Sequence, residues 1–253
     1  MLVITPWFGR LGNNVIQIIN AICVAEKNNH KYVNFHLKHN MFKTNSIEID
    51  IGNNEENNKK IVDTFFDVKK YNIYDLEPYK MKQIYQKYVR PIIKIDYKDT
   101  VDDSDTIYFH FRGGDIFKEK THSGYVQPPL SYYKNIIKDY KNVVLVCEDK
   151  KNPCIEELLK LDNVRYESNS IQKDLNILSN VSNLGLCIGT FSFLLYLMNT
   201  NLKNLYAPYH FIDNIPLGSF GEEINLFVIQ LPNYIKCGEW KYNDETKRKM
   251  LEY

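Results

Sequence analysis

The second half of the chain places the tightest limits on its fold. Short apolar runs recur there: "TIYFHFR" (Thr106–Arg112), "NVVLVC" (Asn142–Cys147), "LGLCIG" (Leu184–Gly189), "NLYAP" (Asn204–Pro208) and "NLFVIQLP" (Asn225–Pro232), with a shorter "VRY" at Val164–Tyr166. Apolar runs of this length, bounded by polar turn residues, suit strands buried on both faces. Stretches of helical length separate them: "LSYYKNIIKDY" (Leu130–Tyr140), Pro153 to about Leu161, Ile171–Ser182 and "FSFLLYLMNT" (Phe191–Thr200). Pro153 stands where a first helical turn begins, a position at which the missing N–H costs nothing. Alternating strand and helix predicts an α/β fold with a mainly parallel sheet covered on both faces. The final "DETKRKMLEY" predicts a helix that packs back on the first half.

The first half is less regular. "LVIT" (Leu2–Thr5) reads as a strand, and a helix follows to about Asn28, with Asn13 or Asn14 as its cap. "KYVNFHL" (Lys31–Leu37) is strand-like. Lys38 to Lys60 is polar and reads as a loop or surface insertion. "IVDTFFDVKKYN" returns to apolar spacing, and a helix is expected at Glu77–Val89. "DYKDTVDDSD" (Asp96–Asp105) is the best linker, so residues 1–100 and 101–253 form two α/β halves. No internal repeat is apparent.

Composition excludes several classes. Net charge is +1, which gives no broad electrostatic case for nucleic acid. No apolar run approaches the roughly 18 residues of a membrane span, and no signal peptide is visible, so a cytoplasmic protein is expected. The five cysteines are scattered without C-x-x-C, which suggests neither a zinc site nor a disulfide framework.

Candidate chemistry gathers at the ends of the strands. In "YFHFRGGD", alternation puts His110 and Arg112 on one face, roughly 6–7 Å apart, and Ile107, Phe109 and Phe111 on the other. An arginine ending a buried strand needs an anionic partner. Asp115 can supply one by closing a turn, or a ligand can, since ligands of open parallel sheets bind beyond the strands' carboxyl ends. Gly113 and Gly114 allow close backbone approach. In "CIGTFSF" a strand ends at Gly189, and Thr190 or Ser192 can cap the next helix. That helix start is either ordinary capping or an anion site. In "CEDKK", Glu148 or Asp149 can bind a ribose hydroxyl or the paired N–H groups of guanine, or merely precede a helix N-terminus. "YESNS", with Ser168, is a further polar rim segment. Asp103-Ser104-Asp105 has D-x-D form but lies at the wrong end of the sheet. His30, His36 and His39 lack a further metal ligand.

Taken in order, these segments resemble the α-1,2-fucosyltransferases and the wider superfamily with the α-1,6 and protein O-fucosyltransferases. "GRLGNNVIQ" resembles that family's G-x-L/F-G-N-Q loop in Gly9, Leu11, Gly12, Asn13 and Gln17, with Asn14 in place of Gln. "HFRGGD" resembles the H-x-R-R-x-D signature in His110, Arg112 and Asp115, with Gly113 in place of the second Arg. "CEDKK" matches an acidic pair after a strand, and "GTFSF" a T/S-F-S segment. "FFDVKKYN" and "PLSYY" are also similar.

The resemblance implies a GT-B glycosyltransferase: two Rossmann-like halves with the active site in the cleft between them. It implies GDP-fucose as donor, a glycan hydroxyl as acceptor, inversion at the anomeric carbon, and no metal or further cofactor. Donor binding would fall to Arg112, His110, Glu148, Asp149, Ser168, Thr190, Phe191 and Ser192, and the cleft loop to Gly9, Arg10, Gly12, Asn13 and Asn14. Asp115 leads as general base, with His110 and Glu119 as alternatives. Lacking a membrane anchor, the chain fits bacterial or viral glycan synthesis. Gly113 leaves open another deoxysugar donor such as an NDP-rhamnose, or a non-catalytic glycan- or nucleotide-binding protein of the same fold.

Overall fold

The computed structural model describes residues 1–36, 40–50, 60–62, 76–97, 103–118, 120–212 and 219–253. The chain falls into two compact units that divide between Asp96 and Tyr97, with Phe193–Met198 counted in the first. Part of the expected linker, residues 98–102, and most of "IVDTFFDVKKYN" lie outside the described residues.

The first unit holds β1 (Leu2–Ile4), α1 (Leu11–Lys27), β2 (Tyr32–Asn34), β3 (Ser46–Glu48), β4 (Lys60–Val62) and α2 (Pro78–Ile84). The sheet order is β3-β2-β1-β4; β1 runs parallel to β2 and β4, and β3 antiparallel to β2. β3 corrects the reading of Lys38–Lys60 as loop. Only its central Ile47 is buried, and one inward residue gives no alternation to detect. α2 begins at Pro78 and continues through a π-helical turn at Tyr85–Val89.

α1 also corrects the expected cap. Arg10 occupies the N-cap position without a side-chain cap, and Asn13 and Asn14 lie inside the first turn. The Asn14 amide donates to Phe8 O at 2.7 Å. Gln17 accepts from Phe8 N at 3.0 Å and donates to Pro6 O at 3.1 Å. Both side chains are buried. They are spent on holding the preceding loop, whose own N–H and C=O groups would otherwise go unsatisfied.

The second unit holds β5 (Thr106–His110), α3 (Leu130–Ile137), β6 (Asn142–Val146), α4 (Pro153–Leu158), β7 (Val164–Glu167), α5 (Ile171–Leu178), β8 (Asn183–Gly185), the start of α6 (Thr190–Met198), β9 (Asn204–Pro208), α7 (Tyr209–Ile212), β10 (Asn225–Ile229) and α8 (Asp244–Glu252). Its sheet runs β10-β9-β8-β5-β6-β7, with every pairing parallel. Counting from β5, this is the order 3-2-1-4-5-6 of doubly wound, Rossmann-like sheets, whose direction of winding reverses between β5 and β8.

One face of this sheet packs Ile107, Phe109, Phe111, Val143 and Leu145 against Tyr132, Tyr133 and Ile136 of α3. Phe111 stacks on Tyr133 with ring centroids 4.3 Å apart. Gly185 has no side chain because the Phe109 ring fills the space a Cβ would take. α8 packs on α3 and α4 of this same unit, with Met250 fully buried in its core. This replaces the expectation that the last helix returns to the first half.

Three strands begin with a hydrogen-bonded asparagine ladder. Asn225 donates to Asn204 at 3.0 Å and Asn204 to Asn183 at 2.7 Å, each 21 residues along the chain from the next. Asn183 in turn donates to Thr106 O at 2.9 Å. Asn142 opens β6 and Asn163 directly precedes β7. An Asn-apolar pair therefore marks five strand starts at near-constant spacing, a repeat the sequence reading did not recognise.

Candidate anion-binding site

The end of β5 and the start of α6 meet where the second sheet changes its winding direction. β5 ends at His110, and Phe111 N still donates to Val146 O at 2.8 Å, which fixes the chain up to Arg112. The Arg112 side chain is only 16% exposed. Its guanidinium lies 4.7 Å from the centroid of the Tyr125 ring and pairs with Asp115 at 3.6 Å. Gly189, with φ of +115°, leaves room for it, since a Cβ there would sit 2.7 Å from Arg112 Nη1. Arg112, Gly189 and the first turn of α6 are thus close neighbours. The opening N–H groups of a helix lack intrahelical acceptors and favour negative charge.

His110 sits beside them. Its Nδ1 is 3.0 Å from Ser192 Oγ and 3.3 Å from Cys187 Sγ. Its ring leans on Phe191, with centroids 4.8 Å apart. Burial, and secondarily the Arg112 charge, pushes its pKa down to about 3, so it is neutral near pH 7. Burial raises the Cys187 thiol to about 11 and keeps it protonated.

The acidic pair after β6 reaches the same rim. Asp149 accepts from Gly114 N at 3.1 Å and from Lys151 N at 3.0 Å, and pairs with the Lys151 ammonium at 3.4 Å. Both its oxygens are engaged in holding the two loops together. A Cβ at Gly113 would lie 2.5 Å from Asp149 Oδ1, and one at Gly114, where φ is +65°, would meet Glu148. Gly113 is required by the anchored Asp149 carboxylate opposite it, and Gly114 by its positive φ. Glu148 is exposed on the rim, and Ser168 Oγ donates to its backbone carbonyl at 3.1 Å.

Of the residues expected to bind a donor, Arg112, His110, Phe191 and Ser192 form one cluster, with Thr190 opening the same helix turn. Glu148, Asp149 and Ser168 form a second cluster, which meets the first at Gly113 and Gly114. Glu119 and His39 lie outside the described residues. The loop Gly9–Asn14 belongs to the first unit. There Gly9 has φ of +63° with Asn13 filling the space of its missing Cβ, and Asn14 faces inward rather than toward a ligand. The D-x-D carboxylates are structural: Asp103 accepts from Ser182 N at 3.2 Å and Asp105 pairs with Lys141 at 2.5 Å. Sequence reasoning missed Tyr125 and Cys187. Tyr125 lies in the polar stretch "THSGYVQPP", and Cys187 reads as one more apolar strand residue.

Among the described residues no group of three or more His, Cys, Asp or Glu is placed to hold a metal ion, and no helix is long and apolar enough to cross a membrane. The second unit is a mixed α/β unit of Rossmann-like strand order, with Arg112 and several carboxylates on the rim at its switch point. Beyond that class the comparisons add nothing: no family model, no curated protein and no solved structure matches the chain.

Proposed function

We propose that the protein is an inverting, metal-independent glycosyltransferase of GT-B type that moves fucose from GDP-fucose to a glycan hydroxyl. The observation that carries this reading is the pairing of the Arg112 guanidinium with the first turn of α6 at the β5–β8 switch point. A planar guanidinium and a helix N-terminus together suit a diphosphate, which takes bidentate and backbone hydrogen bonds at once. As the glycosidic bond to the leaving nucleotide breaks, negative charge grows on the β-phosphate. Arg112 and the α6 N–H groups would stabilise that charge. Asp115, 39% exposed and paired with Arg112 at 3.6 Å, would take the acceptor's proton once a diphosphate has claimed the guanidinium. Exposed Glu148 is suited to the N1–H and N2–H₂ of guanine. The two units would be the two halves of the GT-B enzyme, with the Gly9–Asn14 loop serving the acceptor side.

The test is release of GDP from GDP-fucose, with and without glycan acceptors, in EDTA. Release that increases with acceptor supports the proposal. Turnover that vanishes in EDTA and returns with Mn²⁺ overturns its metal-free part, and no turnover with any acceptor overturns transfer. One observation favours a second reading. Asp149 fills the space beside residue 113, so the site carries one guanidinium where the resembling family has two. That favours another deoxysugar nucleotide, or a protein that binds nucleotides without turnover.

A further inference from the structure

Cys187, Ser192 and His110 form a closed triangle. Ser192 Oγ and Cys187 Sγ lie 3.0 and 3.3 Å from His110 Nδ1, and 3.3 Å from each other. The three come from different elements: His110 ends β5, Cys187 follows β8 and Ser192 lies in the first turn of α6. Cys187 and Ser192 are completely buried, so water does not compete for their hydrogens.

The hydrogens can be counted. A thiol and a hydroxyl bring one each, and a neutral imidazole carries one on either nitrogen. With Nδ1 bare, both hydrogens stay inside the triangle: the thiol donates to Ser192 Oγ and the hydroxyl donates to Nδ1. With a hydrogen on Nδ1, the ring donates to Oγ, the hydroxyl turns to the sulfur, and the thiol must leave the triangle. Its remaining acceptor is Ile188 O at 3.7 Å, the longest contact of the set. The first arrangement needs only the 3.0 and 3.3 Å contacts and puts no buried hydrogen of the triangle on the 3.7 Å one. It also leaves the ring hydrogen on Nε2, which has no protein partner among the described residues, on a partly buried side chain.

We propose that Cys187 and Ser192 act as positioning residues that hold His110 as the neutral Nε2–H tautomer, making it a fixed hydrogen-bond donor beside Arg112 and not a proton acceptor. Among the described residues, the titratable or charged groups facing the ring are Arg112 on its own strand end and Cys187 just after β8, with Ser192 and Phe191 presented by α6. Arg112 repels a second positive charge, and the neutral thiol supplies no counter-charge. Of the general-base candidates, this assignment removes His110. It rests on the proposed function only for the identity of the acceptor that Nε2–H would meet.

The test is a long-range ¹H–¹⁵N correlation spectrum of the histidine rings in the ligand-free full chain between pH 5 and 8, with His110 assigned by loss of its signals in His110→Gln. The expected pattern is an unprotonated Nδ1 and a protonated Nε2, both unchanged over that range. A protonated Nδ1, or titration within the range, overturns the proposal. Ser192→Ala and Cys187→Ala should move both nitrogens toward tautomer-averaged shifts, whereas Cys187→Ser, which keeps a donor, should retain the wild-type pattern. Wild-type shifts in both alanine variants overturn the positioning role. Because no nucleotide is present, the outcome is independent of whether the protein transfers a sugar.

Discussion

Replacing Arg112 by alanine separates a ligand-binding arginine from one that only closes a turn. The interactions lost within the fold can be sized from the structure. The 3.6 Å pair with Asp115 is partly exposed and is worth about 0.2–1 kcal/mol. The contact over the Tyr125 ring adds about 0.5–2 kcal/mol. Arg112→Ala should therefore cost about 1–3 kcal/mol of stability. At roughly 2–4 °C per kcal/mol for a chain of this size, that lowers Tm by a few degrees to about 10 °C. If the guanidinium stabilises a departing diphosphate, kcat should fall by about 10²–10³. Arg112→Lys should restore part of the stability but little turnover, because an ammonium cannot reproduce the planar fork. Melting temperature and turnover measured on the same preparation decide the matter. A stable Arg112→Ala protein with wild-type kcat would falsify the reasoning. A lower Tm with normal turnover per folded molecule would leave Arg112 as a structural ion pair.

The geometry sets the outcome of four further substitutions. Asn204→Ala should lower stability by about 1–3 kcal/mol, read from the urea midpoint, because it strands the buried Asn183 acceptor, while the exposed Asn225 donor turns to water. Glu148→Gln should weaken GDP binding about 10–100-fold by calorimetry, as expected for hydrogen bonds to a charged group. Asp149→Asn should instead destabilise the fold with little change in Kd, since its oxygens are committed to Gly114 and Lys151; the reverse pattern would exchange the two roles. His110 has a folded pKa near 3 against an unfolded value of 6.5, so the unfolded chain binds the extra proton first. Its contribution makes stability fall as pH drops from about 6.5 toward 3, and His110→Gln should flatten that part of the urea-midpoint profile.

Much of the second unit is legible in the sequence because its strands are buried on both faces. Runs such as "NVVLVC" and "NLYAP" have no competing reading once helical stretches separate them. The rim is legible for the same reason, since fixing the strand ends places Arg112, Glu148 and Thr190 along one edge. What escapes the sequence depends on pairing in space. Ile47 alone makes β3 inward-facing, and a single buried residue carries no period. Asn14 reads as a helix cap because capping and loop-pinning use the same amide, and only the backbone shows that Phe8 claims it. Tyr125 and Cys187 reach Arg112 and His110 through loop packing, which no local pattern encodes. The Asn-apolar strand starts were readable, but as a spacing across five segments rather than as a motif within any one.

The central claim is that a nucleoside diphosphate rests on Arg112 and the first turn of α6. A crystal of the full chain grown with GDP tests it most directly. The account predicts the β-phosphate within hydrogen-bonding distance of the Arg112 guanidinium and of backbone N–H groups among residues 190–193, with guanine against Glu148. GDP bound elsewhere with this rim empty, or no GDP at saturating concentration, would contradict it.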